Sequence, residues 1–251
     1  MALRIAAAPY RGRIVVKDFG AYKAELHLDE IMEMAAYQGS FERDVVARIE
    51  TMTKPGMTVL DIGANVGLHA LRFAALAKGG KVYAFEPTPF AFDKLAKNAG
   101  LNPHLSIEPL RLALSDHARA AMMDFRSSWQ HNGTRADGGP AHITFVRLDD
   151  WVAQNGIAHV DLIKIDIDGF EGLAFEGARS TLMRFRPPII AEASVYQYEQ
   201  GRPDPFRILA KLGYVFEDMG GHRLDAAGIK ARVAALDEQY EPGFNVVARH
   251  A

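Results

Sequence analysis

Apolar residues in this chain fall into two patterns that alternate from residue 55 onward. Short continuous apolar runs suit strands buried on both faces, and recurrence every third or fourth position suits helices with one buried stripe. Val59–Ile62 predicts a strand, Leu68, Leu71 and Ala75 a helix stopped at Gly79-Gly80, and Val82–Phe85 a second strand. Pro89 to Asn98 reads as a helix with Phe92 and Leu95 inward, and Leu105 to Leu114 as the third strand region. Ile143–Leu148 alternates as a strand and feeds a helix that Asp149 or Asp150 is expected to cap. Val160–Ile165 is the next buried strand, and Phe175, Ala178, Leu182 and Phe185 mark one helix that Arg186-Pro187-Pro188 ends. Ile189–Ala193 is a fifth strand, Phe206, Leu209 and Leu212 a helix stripe, and Tyr214–Phe216 with Phe244–Ala248 a terminal antiparallel pair. Repeated strand–helix alternation predicts a doubly wound, mostly parallel α/β sheet with helices on both faces.

Residues 1–54 lie outside this alternation and read as a cover segment on a domain spanning 55–251. Arg13–Lys17 suits a short strand. Ser40 is expected to cap a helix with Phe41, Val45, Ile49 and Met52 on one stripe, ending at Lys54-Pro55-Gly56. Two polar stretches, 121–142 and Tyr196–Pro205, break the periodicity. The first, rich in glycine and carrying Trp129 and His131, is expected to face substrate.

Composition narrows the class without choosing a function. The 251 residues are 49% hydrophobic and 24% charged, as in ordinary globular domains. A formal net charge of −2 leaves no electrostatic footprint for nucleic acid. No apolar run reaches the roughly 18–20 residues that cross a bilayer, and Met1 to Pro9 is too short for a secretory signal, so a cytoplasmic protein without membrane insertion is expected. The absence of cysteine excludes disulfides, a thiol nucleophile and thiolate–metal sites.

The first strand–turn–helix carries the chemistry. Val59-Leu60-Asp61-Ile62-Gly63-Ala64-Asn65-Val66-Gly67 ends a strand in an acid and a glycine turn, and the next strand ends in Glu86-Pro87. Gly63 permits a sharp turn close to a ligand, and Gly67 lets the helix start pack against the strand. An acid ending the second strand accepts hydrogen bonds from a ribose hydroxyl pair. A dinucleotide site wants G-x-G-x-x-G, whereas here Asn65 stands at the middle glycine and Leu68 at the third. Asp61 would repel a pyrophosphate and suits a ligand ammonium. Together these favour S-adenosylmethionine (SAM) over NAD. Downstream, Val160–Ile165 delivers Asp166 to the ligand edge of the sheet, followed by Asp168 and Glu171, and Glu192 ends the fifth strand on the same edge.

Three stretches in this order, "DIGANVGLH", "AFEP" and "IKIDIDGFE", resemble the FkbM family of SAM-dependent methyltransferases over about residues 55 to 195. The family's usual Glu-Gly is Asp168-Gly169 here. The resemblance implies a class I, Rossmann-like methyltransferase fold with a seven-stranded sheet, and transfer of a methyl group, most often to a hydroxyl on a sugar, glycoconjugate or natural-product intermediate. A non-catalytic SAM-binding module and a small-molecule N-methyltransferase are the alternatives. Expected cofactor contacts are Asp61, Gly63, Ala64, Asn65, Gly67, His69, Glu86, Pro87, Ala113, Leu114 and Asp166, with S-adenosylhomocysteine as product. An alcohol needs a base to react; Asp166, Glu192 and His131 are the candidates, in that order. Asp166, Asp168 and Glu192 have the hard oxygen ligands that suit Mg²⁺, though nothing in the sequence requires a metal. The expected partner is a small-molecule or saccharide acceptor.

Overall fold

The strand Thr58–Ile62 is buried from its second residue to its last, and in the computed structural model it lies at the centre of the main sheet. The structure describes residues 12–123, 140–198, 201–237 and 243–251. The strands, in chain order, are β1 Ile14–Asp18, β2 Lys23–His27, β3 Thr58–Ile62, β4 Lys81–Phe85, β5 Ile107–Leu110, β6 Ala113–Leu114, β7 Arg119–Met123, β8 Ala141–Val146, β9 Leu162–Ile165, β10 Ile189–Ser194, β11 Tyr214–Asp218, β12 Arg223–Leu224 and β13 Gly243–His250. The helices are α1 Ile31–Gln38, α2 Arg43–Met52, α3 Leu68–Leu76, α4 Pro89–Gly100, α5 Leu148–Gln154, α6 Glu171–Glu176, α7 Arg179–Phe185, α8 Pro205–Lys211 and α9 Ala226–Ala234.

The main sheet runs β12-β11-β13-β10-β9-β3-β4-β5. The strands from β5 to β10 are parallel, and β13 inserts antiparallel between β10 and β11. This is the class I SAM-methyltransferase order, with the expected seven strands plus the two-residue β12 at one edge. Strand order reverses between β3 and β9, which creates a crevice at their carboxyl ends.

Alternation sorts the strand side chains between two cores. Leu60, Ile62, Ile163 and Ile165 face one packed with Trp151, Phe175 and Phe206. Val59 and Leu162 face the other, covered by Phe73 and Ala74 of α3 and Val45 and Ile49 of α2.

Several local expectations give way to tertiary contacts. Ser40 does not cap α2: its hydroxyl donates to Ala35 O at the end of α1, a helix the apolar pattern does not announce, and α2 starts after Glu42. Leu105–Leu114 divides into β5 in the main sheet and β6 in a separate three-stranded sheet with β8 and β7. The ends of the polar stretch 121–142 belong to β7 and β8, which pair antiparallel. Neither Asp149 nor Asp150 caps α5, whose first cap is Arg147. Asp149 instead accepts from Ser180 N (3.0 Å), Thr181 N (2.8 Å) and Thr181 Oγ1 (2.8 Å), satisfying the start of α7. The helix expected from Phe175 to Phe185 is two, α6 and α7, broken at Gly177-Ala178, where a Cβ on Gly177 would overlap the carbonyl of Ser115.

The N-terminal segment is tied to the body by polar contacts. The Asn102 carboxamide accepts from Lys23 N at 2.7 Å and donates to Lys23 O at 2.7 Å, and Asn98 Oδ1 accepts from Glu25 N at 2.8 Å, so α4 completes the hairpin β1–β2. Glu33 of α1, fully buried, pairs with Lys94 of α4 and accepts from His27 N at 2.6 Å.

Candidate active site

The turn after β3 is shaped by the end of β9. Gly63 has φ +79°, and a Cβ there would overlap the carbonyl oxygen of Asp166, so only glycine lets the two strand ends approach. Gly63 N and Ala64 N both donate to Phe85 O. Asn65 adopts φ +53°, and its Oδ1 is buried without a hydrogen-bond partner among the described residues. Gly67, at φ +90°, opens α3, and its neighbour is a helix, not a strand: a Cβ would lie 2.7 Å from Leu95 Cδ1 of α4.

Glu86 is 7% exposed, and its carboxylate closes the turn. One oxygen accepts from Asn65 N at 3.0 Å, the other from Thr88 N at 2.9 Å and Thr88 Oγ1 at 2.5 Å. Burial raises its pKa, and these hydrogen bonds pull it back without cancelling that effect. Thr88 is a partner that the sequence reading overlooks. Its signal is the Thr-Pro pair at residues 88 and 89, which starts α4 with proline in the first turn. Pro87, Ala113 and Leu114 line an apolar cleft with Ile62, Phe85 and Ile167. Ser115, next to Leu114, donates to Asp116 Oδ1 and accepts from Arg119.

On the sheet face covered by α2 and α3, the apolar side chains give way to charge at the strand ends. Asp61 and Lys164 are register partners on β3 and β9. Both Asp61 oxygens are buried and lack a hydrogen-bond partner among the described residues. Desolvation pushes the Asp61 pKa up, with Lys164 and then His69 opposing. Lys164 is itself buried; desolvation alone would lower its pKa, yet Asp166, Asp61 and Glu42 together hold it raised and protonated. Lys164 Nζ donates to Asp166 Oδ2 at 3.2 Å. The apolar pattern marks this lysine only as an interruption, and strand register makes it the counter-cation of the site.

Asp166, Asp168 and Glu192 converge, each presenting an oxygen within 4.8 Å of the others. Asp168 reaches this position with φ +52°. Gly243 makes room for Glu192, since a Cβ there would lie 2.6 Å from Glu192 Oε1. Desolvation, then the charges of Asp166, Glu171 and Asp168, push the Glu192 pKa up to about 9. Glu171, fully buried at the start of α6, accepts from Ile167 N at 2.9 Å; burial raises its pKa to about 7.

His69 stands apart from the turn it follows. Its Nε2 lies 2.7 Å from Glu42 Oε2, and its ring stacks on Phe41 at 5.0 Å. Glu42, at the start of α2, thus joins that helix to the charged row. His131 lies outside the described residues.

A family model described as the methyltransferase FkbM domain matches residues 61–221. The chain is 31% identical over 197 residues to the 2-O-methyltransferase NoeI of Sinorhizobium fredii, covering 70% of this chain and 77% of that one. It is 28% identical over 157 residues to the hexuronic acid methyltransferase AglP of Haloferax volcanii, covering 62% and 63%. A crystal structure of methyltransferase FkbM from Methylobacillus flagellatus aligns over 98% of this chain and 58% of that one, at 13% identity and a TM-score of 0.45. The matched segment holds the glycine turn, Glu86 and the carboxylate cluster, and the chain belongs to the FkbM family of SAM-dependent methyltransferases.

Proposed function

We propose that this enzyme methylates a hydroxyl group of a saccharide or other small-molecule acceptor. The observation that carries this reading is the convergence of Asp166, Asp168 and Glu192 beside the turn at Gly63. NoeI is a 2-O-methyltransferase and AglP acts on a hexuronic acid, and both support a sugar hydroxyl as acceptor.

The residues fit SAM by several independent features. The buried, unpartnered carboxylate of Asp61 suits the ligand ammonium, and Glu86 suits the ribose hydroxyls. Pro87, Ala113 and Leu114 give an apolar slot for adenine. Gly63, Ala64, Asn65 and Gly67 form the backbone of the turn, whereas His69 acts through its pair with Glu42. When bound, SAM supplies an electrophilic methyl on a positively charged sulfur.

The chain's own task is to hold the acceptor oxygen in line with that methyl, exclude water and take the hydroxyl proton. Asp166 is the first choice as base. As the O–CH₃ bond forms, its carboxylate accepts the proton, and Lys164 offsets the charge around it. Glu192 holds its own proton at neutral pH and so suits a hydrogen bond donated to the acceptor. Asp166→Asn should lower kcat at least ~100-fold, while Asp225→Asn leaves it unchanged, because asparagine caps α9 as aspartate does. Equal losses in the two variants remove Asp166 from the chemistry.

The first test is calorimetric titration with S-adenosylhomocysteine and, in parallel, NAD, followed by mass-spectrometric screening of sugars and glycosides for a gain of one methyl. Binding without any methylated product favours a non-catalytic SAM module. A methylated amine in place of an ether favours N-methylation.

The spacing of the three carboxylates also favours a second reading, in which Asp166, Asp168 and Glu192 hold a hard divalent cation that orients the acceptor oxygen. Loss of turnover in EDTA, restored by Mg²⁺, supports it. Full activity in EDTA removes it.

A further inference from the structure

A cavity of about 280 Å³ lies between the hairpin β1–β2, the ends of α1 and α2, and the outer side of α3. Its walls combine two kinds of chemistry. Aromatic rings come in stacked pairs, Phe19 on Tyr22 and Phe41 on His69, each at 5.0 Å between centroids. Such faces suit the C–H face of a sugar ring and leave its hydroxyl rim free for polar contacts. The charged lining is Lys17, Arg43 and Arg72 against a single carboxylate, Glu50.

That carboxylate is engaged. Glu50 Oε1 accepts from Arg72 Nη1 at 2.6 Å. Lys17 Nζ donates to two backbone carbonyls, Tyr37 O at 2.6 Å and Ala36 O at 3.4 Å, and lies 4.8 Å from the Phe19 ring centre, so it has no carboxylate partner among the described residues. Arg43 is exposed and has no carboxylate partner among the described residues. The lining therefore carries an uncompensated positive charge on an otherwise apolar wall, which favours an anionic occupant.

The cavity is linked to the charged row at the ends of β3 and β9 through one of its own side chains. His69 forms part of its wall and is bonded to Glu42. The charge of Lys164 acts on Glu42, and Lys164 is paired with Asp166.

We infer that this cavity binds an anionic sugar unit of the methyl acceptor, its ring against Phe19, Tyr22 and Phe41 and its negative group toward Lys17 and Arg43. The inference rests on the reading of the enzyme as a methyltransferase acting on a saccharide. It separates the work of two surfaces: the strand ends hold the cofactor and the reacting hydroxyl, and the N-terminal segment selects the acceptor by charge.

The test is saturation-transfer NMR titration of the full chain with methyl β-D-glucuronide, glucose 6-phosphate and methyl β-D-glucoside, with S-adenosylhomocysteine affinity measured on the same samples. An anionic sugar should bind about tenfold more tightly than the neutral glucoside. Arg43→Glu should abolish that preference, and Ala47→Trp, which fills the cavity from an exposed position on α2, should remove binding of every sugar. Both variants should keep wild-type affinity for S-adenosylhomocysteine, which also reports that they are folded. Equal binding of charged and neutral sugars, binding of neither, or a preference untouched by Arg43→Glu overturns the assignment. Loss of S-adenosylhomocysteine binding in the unaltered protein would instead overturn the methyltransferase reading on which it rests.

Discussion

Glu86 shows how one side chain serves structure and chemistry together. Its two oxygens already accept three hydrogen bonds from Asn65 and Thr88, which aim the carboxylate into the crevice. Glu86→Ala should weaken S-adenosylhomocysteine binding by about 100-fold, since each hydrogen bond to a charged group contributes about 1.5–3 kcal/mol, while far-UV circular dichroism stays unchanged. Undiminished affinity in the calorimeter removes the ribose assignment. Glu171 makes a prediction about pH. Burial raises its folded pKa from 4.5 to about 7, so the native state retains a proton that the unfolded chain releases. The stability linked to that proton is present in full below about pH 4.5 and declines as pH rises, by ~1.4 kcal/mol per pH unit, until about pH 7. Comparing urea midpoints at pH 5 and pH 8 should show a smaller drop for Glu171→Gln than for the parent chain. An equal drop in both places the pH dependence elsewhere.

The elements differ in how much of their position is written locally. The strand β9 is legible because Val160–Ile165 is almost wholly apolar, and α8 because Phe206, Leu209 and Leu212 fall on one stripe; the fold adds the cap, with Asp204 accepting from Phe206 N and Arg207 N. The helix α1 is not, because Glu33, buried against Lys94, occupies a position where the pattern calls for an apolar side chain. The same pair pins the cover to α4, which yields a prediction at this scale. Lys94→Met should destabilise the protein by about 3–5 kcal/mol by stranding the Glu33 charge, and adding Glu33→Gln should recover part of that loss. Urea denaturation of the single and double variants checks it, and a neutral Lys94→Met would mean that the pair holds nothing. Asp149 teaches the complementary lesson. An aspartate at a helix start reads as that helix's cap, yet this one satisfies α7, more than 30 residues away.

For the whole molecule the decisive feature is the reversal of strand order between β3 and β9. The carboxyl ends of these strands meet at Gly63 and Asp166 so closely that no side chain fits between them. Gly63→Ala should therefore cost more than about 2 kcal/mol, from the left-handed backbone together with the overlap, and should also abolish S-adenosylhomocysteine binding. A stable Gly63→Ala protein that binds normally would show that the strand ends separate easily. The N-terminal segment reaches the charged row beside this crevice through one contact, Glu42 on His69. Among the described residues no helix is long and apolar enough to cross a membrane.

The succession of the main-sheet strands, the glycine turn, the acid at residue 86 and the acids after β9 and near the end of β10 follow from the sequence alone, because each depends on periodicity or on chemistry within a few residues. The charge balance of the site does not. Lys164 is an interruption in an apolar run until parallel register sets it beside Asp61. Glu42 and His69, 27 residues apart, become a pair only when α2 packs on α3. Glu192 acquires its high pKa from burial and then from the charges of Asp166, Glu171 and Asp168, and its space from a glycine on β13. These effects are electrostatic and steric, they fall off over a few ångströms, and only the folded chain brings the groups that close.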